Sequence, residues 1–288
     1  MPHALSNQAI NRAKANMNHI YAEADPRAYF RELETVDYAI PDRAKPVFRA
    51  LIGHLAESRG TPVHALDLGC SYGINAAILK HDLSMADLYR RYTDPALDDA
   101  SSEEVIAADR AYFDGLPDAA PAEVIGLDPA EPAVAYAERA GLIEQGLALN
   151  LEEAPLPDAA AAAMAPVDLV MSTGCVGYVG ATSFDRLMPA VGEGRAPWLA
   201  NFVLRMFPFD PIAETLEAHG YVTEKLDGAR FVQRRFMSEE EQAGVVEKLE
   251  AQGVDPAGVE TEGDLVAEFY LSRPRAEADR PVADLVAS

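Results

Sequence analysis

The chain has 288 residues, enough for one large α/β domain with additions. Its 24 basic and 47 acidic residues give a formal net charge of −23, which repels phosphate backbones and anionic membrane surfaces, and the basic residues cluster no further than the pairs Arg90-Arg91 and Arg234-Arg235. Nucleic acid and membrane are therefore excluded as expected partners, and no run of about 18 apolar residues predicts a spanning helix.

In chain order, residues 1–60 read as an N-terminal helical cap divided by Pro26 and Pro41. Met1 to Ile20 is polar, with Asn7, Gln8, Asn11, Asn16 and Asn18, and does not have the character of a signal peptide. Apolar residues at 47, 48, 51, 52 and 55 predict a helix that Gly60-Thr61-Pro62 ends. A strand, Val63–Leu68, then leads through a glycine-containing turn into a helix over Ile74–Lys80. Residues 81–121 are too long for a bare loop and, with Tyr89, Tyr92, Tyr112 and Phe113, too aromatic for a linker. They predict a helical insertion, with Ser101 or Ser102 capping a helix that runs to about Phe113.

Alternation resumes with a strand ending at Asp128, a helix over Glu131–Ala140 stopped by Gly141, and a short strand in Gly146–Leu149. An Ala-rich stretch, Pro155–Pro166, holds a loop and a short helix. Strands follow over Val167–Ser172 and Trp198–Phe207, then a helix over Asp210–His219. Two β-rich segments, about 221–236 and 266–272, flank a helix over 238–252, and residues 275–288 form a polar, loosely held tail. Repeated strand–helix alternation predicts a parallel sheet with helices on both faces, spanning residues 61–274.

The turn Asp67-Leu68-Gly69-Cys70-Ser71-Tyr72-Gly73 carries the chemistry. An acidic strand end, glycines without a Cβ and a helix N-terminus make a nucleotide cradle, although such turns also occur without a ligand. The dinucleotide pattern Gly-x-Gly-x-x-Gly fails, because Ser71 and Ile74 stand where its second and third glycines belong. The turn instead resembles motif I of the class I S-adenosylmethionine (SAM)-dependent methyltransferases, with Ser71 at the middle glycine. That resemblance implies a Rossmann-like methyltransferase fold of seven strands, mostly parallel. The two late β-rich segments supply its reversed sixth and seventh strands, and the cap closes over a substrate pocket.

The resemblance also implies roles. Gly69, Cys70, Ser71 and Gly73 would hold the methionine portion of SAM, with Asp67 acting through backbone amides or a water on the loop and the donor's amino group. Asp128, followed by Pro129, would accept from both ribose hydroxyls, since one carboxylate offers two acceptor oxygens. Asn150 with Leu151 would hold the adenine, Glu152 being the other candidate for the acidic position. Thr173 and Gly174 would contact the cofactor in the wall beside the methyl donor, and Cys175 would face the substrate at the reaction centre, with Tyr178 as the catalytic candidate. Cys175 is read as a small wall residue rather than a nucleophile, for no adjacent base activates it in the sequence. Tyr21, Tyr29 and Tyr38 are candidate lid residues for the substrate, and Asn201, a polar residue within an apolar strand, is a further substrate-binding or structural candidate.

The implied function is methyl transfer from SAM to a small-molecule acceptor by in-line displacement, with S-adenosylhomocysteine (SAH) as product. Fold alone does not separate this from cleavage or cyclisation of the aminobutyrate chain of SAM, or from a non-catalytic SAM-binding subunit. An NAD dehydrogenase fits poorly. Six scattered histidines give no metal-ligand spacing, so no metal is expected. Two cysteines, Cys70 and Cys175, make no disulfide framework, which leads to the expectation of a cytoplasmic location. A homodimer is allowed but not specified.

Overall fold

The structure is a computed structural model that describes residues 18–191 and 195–286. The expectation for the polar N-terminus falls largely on residues 1–17, outside the described residues, as do residues 287 and 288 of the tail.

The central sheet is built from β1 (Val63–Leu68), β2 (Ala122–Leu127), β3 (Gln145–Leu147), β4 (Leu169–Thr173), β5 (Trp198–Leu204), β6 (Tyr221–Lys225), β7 (Phe231–Arg235) and β8 (Asp264–Pro274). Its order is β3-β2-β1-β4-β5-β8-β6, with β7 also on β8. The first five strands are parallel, and β8 runs antiparallel to β5, β6 and β7. The seven-strand expectation is corrected to eight, because Leu226 to Arg230 turns the chain within the segment 221–236 and divides it into β6 and β7. Among the described strands only β8 is reversed. Ala267 pairs with both Leu204 and Phe231, and Leu271 with both Ala200 and Glu224, so β6 and β7 lie end to end along the outer edge of β8.

The helices among the described residues are α1 (Arg27–Glu34), α2 (Ile40–Arg59), α3 (Ile74–His81), α4 (Met85–Tyr92), α5 (Ser102–Asp114), α6 (Glu131–Arg139), α7 (Asp158–Met164), α8 (Ala181–Val191), α9 (Asp210–Ala218), α10 (Glu239–Ala251) and α11 (Val282–Val286). Local chemistry explains several boundaries. Ser84 and Ser101 each form a capping box, with Asp87 and Glu104 respectively. Gly60 ends α2 in the left-handed conformation, its N–H on Ala56 O. The sheet interior is apolar on both faces, as in β1, where Ala65, Leu66 and Leu68 are buried, and in β5, where every residue is buried.

The insertion is helical, and it is locked down by a buried polar network. Tyr136 Oη of α6 donates to Asp109 Oδ2 of α5 at 2.5 Å, Tyr92 Oη lies 2.7 Å from Tyr136 Oη, and Arg91 Nε donates to Asp109 Oδ1. Asp25 of the cap reaches the insertion through Ser102 Oγ. The cap also reaches the far side of the sheet: Ala39 N donates to Gln233 O, and Arg235 N donates to Val36 O, so residues 36–39 run along β7. The tail is better held than its polarity predicts. Val282 and Leu285 of α11 are buried near α2, and Trp198 Nε1 donates to Glu277 Oε2.

Candidate active site

Loops at the carboxyl ends of β1, β2 and β4 meet where open α/β sheets bind ligands. The turn after β1 stays tied to β2, since Gly69 N donates to Leu127 O at 2.8 Å. Three of its residues have positive φ: Gly69 (+80°), Ser71 (+50°) and Gly73 (+76°). Ser71 therefore takes the backbone conformation of the glycine it replaces, at the strain such a residue carries. Its N–H donates to Asp128 Oδ2 at 3.1 Å, and Ala130 N donates to Asp128 Oδ1 at 2.9 Å. Asp128 is thus held against the turn with a lone pair still available on each oxygen. Burial pushes its carboxyl above the ordinary range, and the two backbone bonds oppose this.

Asp67 is fully buried. Its Oδ1 accepts from Asn75 Nδ2 at 2.9 Å, and the same amide nitrogen donates to Thr173 Oγ1 at 3.1 Å, so Asn75 ties β1 to β4. Asp67 Oδ2 has no hydrogen-bond partner. Burial, opposed by Asn75 and aided by the Asp128 charge, pushes the carboxyl up to about 7. A raised carboxyl favours folding below its ordinary value near 3.8, and that contribution is lost as pH rises to about 7. The stability difference between wild type and Asp67→Asn is therefore expected to shift steadily against wild type between about pH 4 and 7 and to stay level above that. Denaturant melts across this range check it; a flat difference would show that the carboxyl titrates normally.

The glycines of these loops pack on protein. A Cβ on Gly69 would lie 2.6 Å from Cys175 Cβ, and one on Gly174 (φ +70°) would lie 2.9 Å from Gln233 Oε1. Gly73 packs on Ala137 and Leu142, which seats α3 against α6. Cys175 is the wall over Gly69, and burial pushes its thiol up to about 12, so it is no thiolate nucleophile. Cys70 is buried, its Sγ lying 2.7 Å from where a Cβ on Gly126 would sit.

Above these loops lie the tyrosines. Tyr29 is buried at the centre of an aromatic cluster, its ring 5.7 Å from both Tyr21 and Tyr72 and 6.3 Å from Tyr38. Tyr29 is therefore a packing residue of the cap, while Tyr21 and Tyr38 are half-buried at the edge of the cluster. Burial raises the Tyr21 hydroxyl, Tyr38, Tyr178 and Asp128 add to the effect, and Arg234 opposes it. Tyr38 is pushed up to about 12 by burial, within the fields of Asp67, Arg234 and Cys175. Tyr178 is 50 % exposed on the loop after β4, its hydroxyl raised by burial and eased by Arg234. Cap, β1, β2 and β4 thus bring Tyr21, Tyr38, Asp67, Asp128, Cys175 and Tyr178 into one electrostatic neighbourhood.

Other predicted residues stand differently. Asn150 Oδ1 accepts from Glu152 N at 3.0 Å, which closes its own turn. Leu151 is buried, its carbonyl taken by Arg186 Nη1, and Pro129 is exposed. Glu152 Oε1 accepts from Gly180 N, Ser183 N and Ser183 Oγ, so it caps the start of α8. Asn201 is fully buried inside β5 and accepts from Ser172 Oγ at 2.8 Å.

Four residues have a place at the site to which the sequence gives no role. Asn75 braces Asp67. Tyr72 Oη lies 2.9 Å from both Ile20 O and Glu23 O, fastening the cap to the turn. Arg234 is buried in an ion pair with Glu241, Nη2 to Oε1 at 2.5 Å, and Gln233 lies against Gly174. A polar pair, Gln233-Arg234, within a β-rich run was the one available signal. Among the described residues no group of three or more His, Cys, Asp and Glu is placed to hold a metal, and no helix is long and apolar enough to cross a membrane.

No protein-family model matches the chain, and no curated protein does. Solved structures do. The plantazolicin methyltransferase BpumL, in complex with a monoazolic desmethylPZN analog and SAH, is 12% identical over 93% of this chain and 98% of its own, with a TM-score of 0.42. A cyclopropane-fatty-acyl-phospholipid synthase-like protein from Lactobacillus casei is 12% identical over 85% and 98%, with a TM-score of 0.41. A Haemonchus contortus phospholethanolamine N-methyltransferase is 13% identical over 75% and 49%, with a TM-score of 0.36. These values are too low to add to the topology, which stands by itself: five parallel strands in the order 3-2-1-4-5, followed by a reversed strand that intervenes before β6, give this chain the class I SAM-dependent methyltransferase fold.

Proposed function

We propose that the chain is a SAM-dependent methyltransferase that acts on a small-molecule acceptor by in-line displacement. The observation that carries this reading is the pair of carboxylates flanking the glycine turn: Asp128, bonded to Ser71 N, and Asp67, whose Oδ2 is buried without a partner. A buried carboxylate oxygen with no donor fits a cationic amino group, and Asp128 fits a ribose diol. The residues present therefore fit SAM, whose sulfonium supplies an electrophilic methyl. Asp67 and the turn 69–73 would hold its methionine portion, Asp128 its ribose, and the loop at 150–151 its adenine.

The protein's own task is to orient the acceptor, exclude water and keep the two ligands in line. Cys175 and Gly174 wall the donor side, and Tyr21 and Tyr38 of the cap close the other. Tyr178 is a neutral hydroxyl suited to orienting the acceptor by a hydrogen bond rather than to taking its proton. Tyr178→Phe is expected to lower kcat by roughly tenfold while leaving SAH affinity unchanged, the loss of one hydrogen bond made to the acceptor. Unchanged kcat would make the hydroxyl a packing group. Calorimetry with SAM, SAH and NAD tests the reading as a whole, with mass spectrometry of SAM after incubation. Binding of SAM and SAH with SAM left intact supports it. Methylthioadenosine formed without an acceptor, or binding of NAD alone, refutes it.

A further inference from the structure

Gln233 sits on β7, the strand along which the cap runs. Its side chain is buried, and its Oε1 is sealed from solvent with no hydrogen-bond partner. The carboxamide rests where a Cβ on Gly174 would lie, 2.9 Å from Oε1, so glycine at 174 is what lets the amide approach the loop after β4. Buried carbonyl-type oxygens are nearly always paired, and an unpaired one is a standing cost to the fold. The main chain of Gln233 is already used, its carbonyl accepting from Ala39 N, so the amide is not needed to dock the cap. Tyr38, one residue before Ala39, and Arg234, one residue after Gln233, both belong to the neighbourhood of Asp67, Cys175 and Tyr178.

The geometry points to Gln233 as an acceptor-binding residue that sets the chemical class of the substrate. Its Oε1 is reserved for a donor that arrives with the ligand, so the group presented there carries an N–H or O–H: an amine, an amide or a hydroxyl, and not a thioether, which has no proton to offer. An amide oxygen accepts such a hydrogen bond without taking the proton, so Gln233 orients the acceptor and leaves its pKa nearly untouched. This inference rests on the methyltransferase reading for the identity of the site. The unpaired oxygen itself does not depend on it.

The test is Gln233→Met, which keeps the length of the side chain and removes its polarity. Without ligand, the variant is expected to melt about 2 °C or more above wild type, since an unpaired buried polar group is replaced by an apolar one of similar shape. SAH affinity measured by calorimetry is expected to stay within about twofold, because the amide serves the acceptor side. With SAM and the probes benzylamine, phenol and dimethyl sulfide, methylation of an N–H or O–H probe is expected, and to fall at least tenfold in kcat/KM in the variant. A melting temperature equal to or below wild type shows that the amide is a paired structural group and overturns the proposal. So does methylation of dimethyl sulfide in preference to the other two, or amine turnover that the variant leaves unchanged. Failure of wild type to bind SAH would overturn the methyltransferase reading instead, while the melting comparison would still report on the oxygen.

Discussion

Asp128→Ala is expected to weaken SAH binding by about a hundredfold or more, equivalent to about 2.7 kcal/mol. Two hydroxyl groups donating to one carboxylate are worth about 1.5–3 kcal/mol each when water is excluded, so a hundredfold is the lower end of the range. Part of the loss is indirect. Asp128 Oδ2 also accepts from Ser71 N, and without it the turn loses the bond that steadies a residue at positive φ. Asp128→Asn separates the two effects, because one amide oxygen can keep either the turn or a ribose hydroxyl but not serve both fully; an intermediate loss near tenfold is expected. Calorimetry with SAH, with circular dichroism to establish folding, decides the matter. A folded Asp128→Ala protein of unaltered affinity would remove the ribose assignment.

Gly69→Ala is expected to destabilise the protein itself, by about 2–5 kcal/mol. The added methyl meets two penalties: a non-glycine residue at φ +80°, and a contact of 2.6 Å with Cys175 Cβ where van der Waals contact begins near 3.4 Å. Cys175 is held between Gly69 and the turn that bonds its carbonyl to Tyr178 N and Val179 N, so it cannot simply swing away. Thermal melts are expected to show a fall in Tm of roughly 5–15 °C. The clash and the backbone strain are separable in a cycle with Cys175→Gly, which removes the facing Cβ. A coupling of about 1–3 kcal/mol assigns that share to the contact. Additive effects would mean the two loops do not touch as described. A bulky residue at 69 is thus a poor probe of ligand binding, since the fold would fail before the cradle is tested.

The sequence is most legible where the candidate site is built from segments local in the chain. The strand that carries Asp67, the glycine turn and Asp128 just after β2 all lie in short contiguous segments whose spacing is fixed by the strand–turn–helix geometry. Ser101 signalled the start of α5 because a capping box is itself a local pattern. The loop after β4 carries Gly174, Gly177 and Gly180 within seven residues, but what they pack on is not legible in the sequence: Gly174 faces Gln233 and Gly177 faces Phe207, both far along the chain. Gln233 and Arg234 were hidden for the same reason. Their segment reads as one β-rich run, and only pairing with β8 shows that it is interrupted into two strands laid end to end. The docking of the tail is not legible because its polarity is that of its exposed face, while Val282 and Leu285 supply too few apolar positions to signal it. Asn150 is expected at the adenine only from the resemblance of its loop, and the bond its Oδ1 accepts from Glu152 N depends on a turn geometry that the sequence does not show.

The path of residues 36–39 along β7 has a consequence for solubility. β8 shields one side of β7, and the other would be an open row of amides and carbonyls, the kind of edge on which chains stack. Val36 O and Ala39 N occupy two of those positions. A chain shortened to begin at residue 61 would keep every strand, and its net charge would still be strongly negative, yet it would bare that edge together with the apolar face α2 covers. Such a fragment should come out of solution as strand-paired aggregate, so the N-terminal cap also serves as the sheet's guard against its own kind.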